Sequence, residues 1–248
     1  MRFLLYAFIL SLLFSTSVHA QDSTQSLVMV NPHFLIKRQY NKRLVYKRLA
    51  AQARNYDRRN EFPFERMAYA YASGPDYDPY GKDTIDMLYK LAYDVENIKD
   101  PEVLEKKYLQ FTNIVNDHLG NLGIVNAVIS LTRQNAILGD IEFLQWIKNG
   151  LIERLLRSGN GYNPATAYRI VSMEEESFLL IHKHLELIDR EYFSTGNQFY
   201  HVYRTQERKT RNPVKFYTNL GGVMLHEITN KYIENPYYKF TPKIPDDY

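Results

Sequence analysis

The chain of 248 residues contains no cysteine. That excludes disulfides, thiolate metal sites, cysteine nucleophiles and lipid attachment through an N-terminal cysteine. After the first residues no apolar run approaches the roughly 20 residues that a membrane helix needs. There is no phosphate loop and no dinucleotide fingerprint, and HEITNKY (226–232) lacks the second histidine of a zinc helix of the H-E-x-x-H type. Ser158, in SGNGYNP, has neither a G-x-S-x-G context nor a Ser-x-x-Lys pattern, which argues against a serine nucleophile. Without such signatures, function must be read from compartment, architecture and surface.

The compartment is the clearest reading. Arg2 is followed by FLLYAFILSLLF and then by STSVHA, with Val18 and Ala20 where a signal peptidase reads small residues. A short basic start, a short apolar run and an A-x-A-like end predict a secretory signal peptide over 1–20, cleaved after Ala20. The mature chain is then expected to be periplasmic or secreted, soluble, and held by its core alone, which about 228 residues can build. Loss of Arg2 takes the formal net charge from +3 to +2, too little to indicate a partner. The distribution says more. IKRQYNKRLVYKRLAAQARNYDRRN (36–60) carries Lys37, Arg38, Lys42, Arg43, Lys47, Arg48, Arg54, Arg58 and Arg59 against Asp57 alone. Nucleic acid does not suit an exported protein, so the polyanions to consider are an anionic envelope component or an acidic protein. The structural reading is a solvated basic helix face over a buried stripe of Ile36, Tyr40, Leu44 and Ala51.

Periodicity predicts an α+β chain. Residues 21–60 form a flexible lead-in and the basic helix, and 61–157 a helical-hairpin array of tetratricopeptide-like character. A small antiparallel sheet with one or two helices follows over 158–235, then a tail over 236–248. EFPFERMAYAYAS (61–73) has a stripe of Phe64, Met67, Ala68 and Tyr71, ended by Gly74 and Pro75. Four helices with short links, hence antiparallel neighbours, are expected from Thr84 to Arg157. The first carries Ile85, Leu88, Leu91, Ala92 and Val95 behind Asp83 as N-cap; the next carries Val103, Leu104, Tyr108, Phe111 and Val115 behind Asp100 and Pro101. Trp146 is expected in the core. KDPEVLEKK (99–107) and GDIEFLQWI (139–147) align at an offset of 40, a faint repeat that fits stacked hairpins. Gly159 is expected as a left-handed helix cap, TAYRIV (166–171) as a β-rich run, and SMEEESFLLIHKHL as a helix. ELIDREYF, NQFYHVYRTQ and NPVKFYTNL are strand-like, and LHEITNKYIEN reads as a last short helix.

Two stretches resemble an exported bacterial family of unknown function found in Bacteroidetes and Proteobacteria. FERMAYAYASGPDYDPYG is similar to its aromatic-x-x-Leu-Arg-x-Ala-Tyr and Tyr-x-Pro-Tyr opening, although Met67 follows Arg66 where the family often has Leu-Arg. GDIEFLQWIKNGLIERLLRSGNGYNPATAYRIVSMEEESFLL is similar to its Gly-Asp helix, Ser-Gly-x-Gly turn, Thr-Ala-aromatic strand and Glu-Glu helix. The resemblance spans 62–220. It implies a tetratricopeptide-like helical part plus a small β part, and no catalytic residues come with it.

YASGPDYDPYGKDT (71–84) offers the most candidate chemistry. Asp76, Asp78 and Gly81 match positions 1, 3 and 6 of a calcium loop, but Tyr80 and Met87 stand at positions 5 and 12 where ligands belong. Tyr71, Tyr77 and Tyr80 are suited to stack on a sugar ring, with the carboxylates accepting hydroxyl hydrogen bonds. The expectation adopted is a corner between helices, with no metal and no cofactor. His182 and His184, two apart on a helix, cannot share a metal, and Glu174, Glu175 and Glu176 read as surface acids that offset the helix dipole. The expected function is a non-enzymatic binding or scaffold module that contacts a protein or envelope component. Tyr77, Asp78 and Tyr80, and Lys42, Arg43, Lys47 and Arg48, are its candidate contacts. The alternative is a hydrolase of envelope glycan or peptide, its residues assembled between the two halves.

Overall fold

Short links and strong N-caps set the helical part. A computed structural model describes the backbone of residues 32–42 and all atoms of 43–195, 198–221 and 223. Among the described residues the α-helices are α1 (Pro32–Arg54), α2 (Phe64–Tyr71), α3 (Lys82–Asn97), α4 (Pro101–Asp117), α5 (Leu122–Gln134), α6 (Ile141–Arg157) and α7 (Glu174–His182). They pack in consecutive pairs, α1 with α2, α3 with α4 and α5 with α6. Asp100 and Asp140 each accept backbone N–H groups at the start of the second helix of a pair, Glu102 and Val103 for α4 and Phe143 for α6. The faint repeat is thus a repeated cap. Asn121 does the same for α5, bonding Gly123 and Ile124.

The core follows the apolar stripes with three corrections. In α1 the buried residues are Tyr46, Leu49, Ala50 and Ala53, while Leu44 and Ala51 are exposed. Ile36 and Tyr40 lie outside the described side chains. In α4 only Phe111 and Val115 are buried; Val103 and Tyr108 face outward. Trp146 is half-buried in an aromatic group with Tyr56, Phe62, Phe64 and Phe143. Gly150 lets α2 approach α6: a Cβ there would lie 2.1 Å from the Phe64 ring.

The second part is a sheet of order β1-β4-β3-β2, built from β1 (Tyr168–Arg169), β2 (Leu185–Thr195), β3 (Gln198–Glu207) and β4 (Pro213–Asn219). β2, β3 and β4 are antiparallel, with an irregularity between Leu187 and Asp189, whereas the two-residue β1 runs parallel to β4. β1 is all the strand that TAYRIV yields, because Pro164–Thr166 forms a 3-10 turn. Gly159 is not left-handed. Gly161 is, with φ 76°, and Gly159 is needed because a Cβ would lie 2.4 Å from the Thr166 carbonyl oxygen. α7, Leu155, Tyr168 and Ile170 cover the sheet face that carries Tyr203 and Phe216. LHEITNKYIEN, the tail, the turn at Gly196 and Asn197 and residues 1–20 lie outside the described residues.

Candidate functional site

Residues 71–84 do form a corner, knitted by Asp78. Its carboxylate accepts N–H groups of Tyr80 (3.2 Å) and Gly81 (2.7 Å) and the Thr84 hydroxyl (2.8 Å). Its carbonyl accepts from the Asn121 side chain (2.7 Å), and its N–H donates to the Tyr71 hydroxyl (3.1 Å). Gly81, left-handed at φ 71°, precedes α3 at Lys82, so Asp83 sits inside the first turn and is not the cap. Tyr77 is buried against Tyr71 and its hydroxyl donates to the Val171 carbonyl (2.6 Å); the Met173 N–H donates to the Pro79 carbonyl (2.9 Å). Tyr80 stays 59% exposed, so the three tyrosines do not make one flat face. Asp76 pairs with Arg43 at 3.0 Å.

That pair begins a wider correction. The basic segment meets acids brought from other elements: Lys47 pairs with Asp117 (3.4 Å) and Arg58 with Asp140 (3.0 Å), while Arg59 pairs locally with Asp57 (2.9 Å). Arg48 is exposed, and the side chain of Lys42 lies outside the described residues. Sequence alone shows the cations clustered; tertiary packing distributes the anions among them.

Two carboxylates read as surface acids are buried. Glu175 accepts from the Arg154 guanidinium and from the Val171 N–H (2.8 Å), and Arg154 also donates to the Arg169 carbonyl (2.8 Å). Burial pushes the Glu175 carboxyl up, against the opposing pull of Arg154. Glu176 accepts from His201 Nδ1 (3.0 Å) and the Thr218 hydroxyl, with Arg190 at 3.9 Å. Burial and the Glu176 charge push the Tyr203 phenol up. Only Glu174 of the three is exposed. Their hydrogen-bonded side-chain partners Arg154, His201 and Thr218 are 21 to 42 residues away in the chain, beyond what local patterning reveals.

An open groove of about 380 Å³ lies on the helical part. α4 contributes Tyr108, Thr112 and Val115; the link from α5 to α6 contributes Ile137 and Leu138; Val128 and Leu144 complete the floor. Val115, Val128, Leu138 and Leu144 are buried, whereas Tyr108 (37% exposed) and Ile137 (60% exposed) stand in solvent. Charge enters the lining at Arg54 and Asp140. The Arg54 guanidinium lies 4.2 Å from the Phe143 ring centroid and gives Nε and Nη2 to Asn116 Oδ1 at 3.0 and 2.7 Å. Burial lowers its pKa, with Asp140 acting in the opposite sense. In the sequence Tyr108 belongs to the apolar stripe of α4, and nothing sets Arg54 apart from the other cations of 36–60.

No group of three or more histidines or carboxylates able to hold a metal occurs among the described residues, and no helix among them is long and apolar enough to cross a membrane. Comparison of the chain with protein-family models, curated proteins and solved structures finds no match.

Proposed function

We propose that the chain is a non-enzymatic binding module, exported to the periplasm or beyond, whose helical part contacts a protein or another envelope component. Export with cleavage after Ala20 and kinship with the exported bacterial family of unknown function are parts of the same proposal. The observation that carries it is the groove, where large apolar side chains, Tyr108 and Ile137, are held in water above a buried aliphatic floor. Such side chains gain from being covered, at about 25 cal/mol per Å² of apolar surface removed from water. The basic face of α1 is a secondary contact surface, reduced to Arg48 and its neighbours by the ion pairs of Arg43 and Lys47.

The alternative, an envelope hydrolase, has one observation in its favour. Glu176 holds His201 by Nδ1, an arrangement that orients an imidazole for proton transfer through its other nitrogen. Both residues belong to the sheet part, however, and a Thr218 hydroxyl and Arg190 also lean on the same carboxylate. Those bonds serve equally to fasten α7 to the sheet.

The test is a photo-crosslinking residue placed at position 137, with position 162, which is also strongly exposed, as control. Crosslinking in intact cells should give discrete adducts from 137 and none shared with 162. Identical patterns from both positions, or none from 137, would remove the groove reading.

A further inference from the structure

We propose that the groove receives the carboxyl-terminal end of an extended peptide with an apolar last side chain, Arg54 binding the terminal carboxylate. This rests on the binding-module reading and names its partner's chemistry. Arg43, Lys47, Arg58 and Arg59 each have an acid within ion-pair distance. Arg54 has none within that distance among the described residues and is the cation in the groove lining, while the Asp140 carboxylate, which also lines the groove, is paired with Arg58 at 3.0 Å. Its orientation is fixed from two sides, by Asn116 Oδ1 and by the Phe143 ring. Nε and Nη2 are committed to Asn116, which leaves Nη1 for an incoming oxygen. A guanidinium held this way loses little further freedom on binding a carboxylate.

The remaining lining selects the rest of the ligand. The floor of Val115, Val128, Leu138 and Leu144 takes an aliphatic or aromatic side chain, and about 380 Å³ falls in the range of small-ligand sites. A fatty acid offers the same carboxylate and apolar chain. It would, however, cover the polar lining residues Thr112 and Tyr108 and the backbone at Gly139 without giving them hydrogen bonds. A peptide supplies amide N–H and carbonyl groups to meet them.

The probe is a fluorescein-labelled pentapeptide, Gly-Ser-Ser-Tyr-Leu, titrated with the purified full chain and read by fluorescence polarisation. Binding of the free acid should weaken about tenfold or more when its C-terminus is amidated, the scale of one charge-assisted hydrogen bond. Arg54→Gln should weaken the free acid to the level of the amide and leave the amide unchanged, with the melting temperature of the variant confirming its fold. Equal binding of acid and amide, insensitivity to Arg54→Gln, or no binding of either peptide overturns the proposal. So does an amidated peptide with a penultimate aspartate that binds as the free acid does, since the carboxylate would then be a side chain's. Tight binding of dodecanoate with no peptide binding overturns it in favour of an amphiphile. If these tests fail while position 137 still crosslinks, the binding-module reading stands; absence of crosslinking removes that reading separately.

Discussion

Gly81 turns the chain into α3 with a left-handed backbone, and the residue at the N-cap position therefore has no side chain to offer. Asp78 instead ties the turn that leads into the helix, accepting the N–H groups of Tyr80 and Gly81 and the Thr84 hydroxyl at once. Asp78→Ala removes all three acceptor contacts in a partly buried place and should lower stability by about 2 kcal/mol. Asp83→Ala, on the exposed first turn, should change it by less than about 0.5 kcal/mol. Urea denaturation of both variants compares them directly, and equal effects would mean that the Asp78 contacts do not hold the corner. That a corner forms here is legible in Gly74, Pro75 and Pro79. Which aspartate holds it is not, since the choice depends on the φ of Gly81 and on Asn121, 43 residues away.

Helices 84–157 are legible because their causes are local: apolar period, Asp caps and Gly breaks all lie within a few residues of the element they shape. The groove and the buried acids are not legible, because α4 has a free side and Glu175 meets its partner only across elements. Arg154 on α6 and Glu175 on α7 are both almost wholly enclosed, and the pair joins these helices to β1 at Arg169 and to Val171 just beyond it. Removing one member leaves a buried charge alone, so Arg154→Met should destabilise by about 3–5 kcal/mol. Adding Glu175→Leu replaces the lone charge with apolar volume and should recover most of that loss. A double-mutant cycle in guanidinium measures the recovery. A double variant as unstable as the single would mean that the bonds to the Arg169 carbonyl and Val171 N–H matter more than the charge pair.

Stability of the whole molecule should depend on one imidazole as pH falls. Burial lowers the pKa of His118, whose Nδ1 is 3.0 Å from the Tyr71 hydroxyl, while Asp78, Asp117 and Asp76 act to raise it. The unfolded chain, with histidine titrating near 6.5, therefore binds a proton more readily than the folded one. The contribution of neutral His118 is fully present above that value and is lost as pH falls from it toward the folded pKa. Melting temperature should drop between about pH 7 and 5 in the native chain and drop less in His118→Gln, as differential scanning calorimetry would record. Parallel slopes for the two proteins would assign the loss to other groups.

The Tyr77 hydroxyl on the Val171 carbonyl and the Met173 N–H on the Pro79 carbonyl join stretches 94 residues apart in the chain. The corner of the helical part is thus finished by residues from the part that follows it. A recombination event that exchanged everything after Ser158 for another sheet would leave a buried phenol and a carbonyl without partners. The seam that looks like a boundary in composition is a poor place to cut a gene.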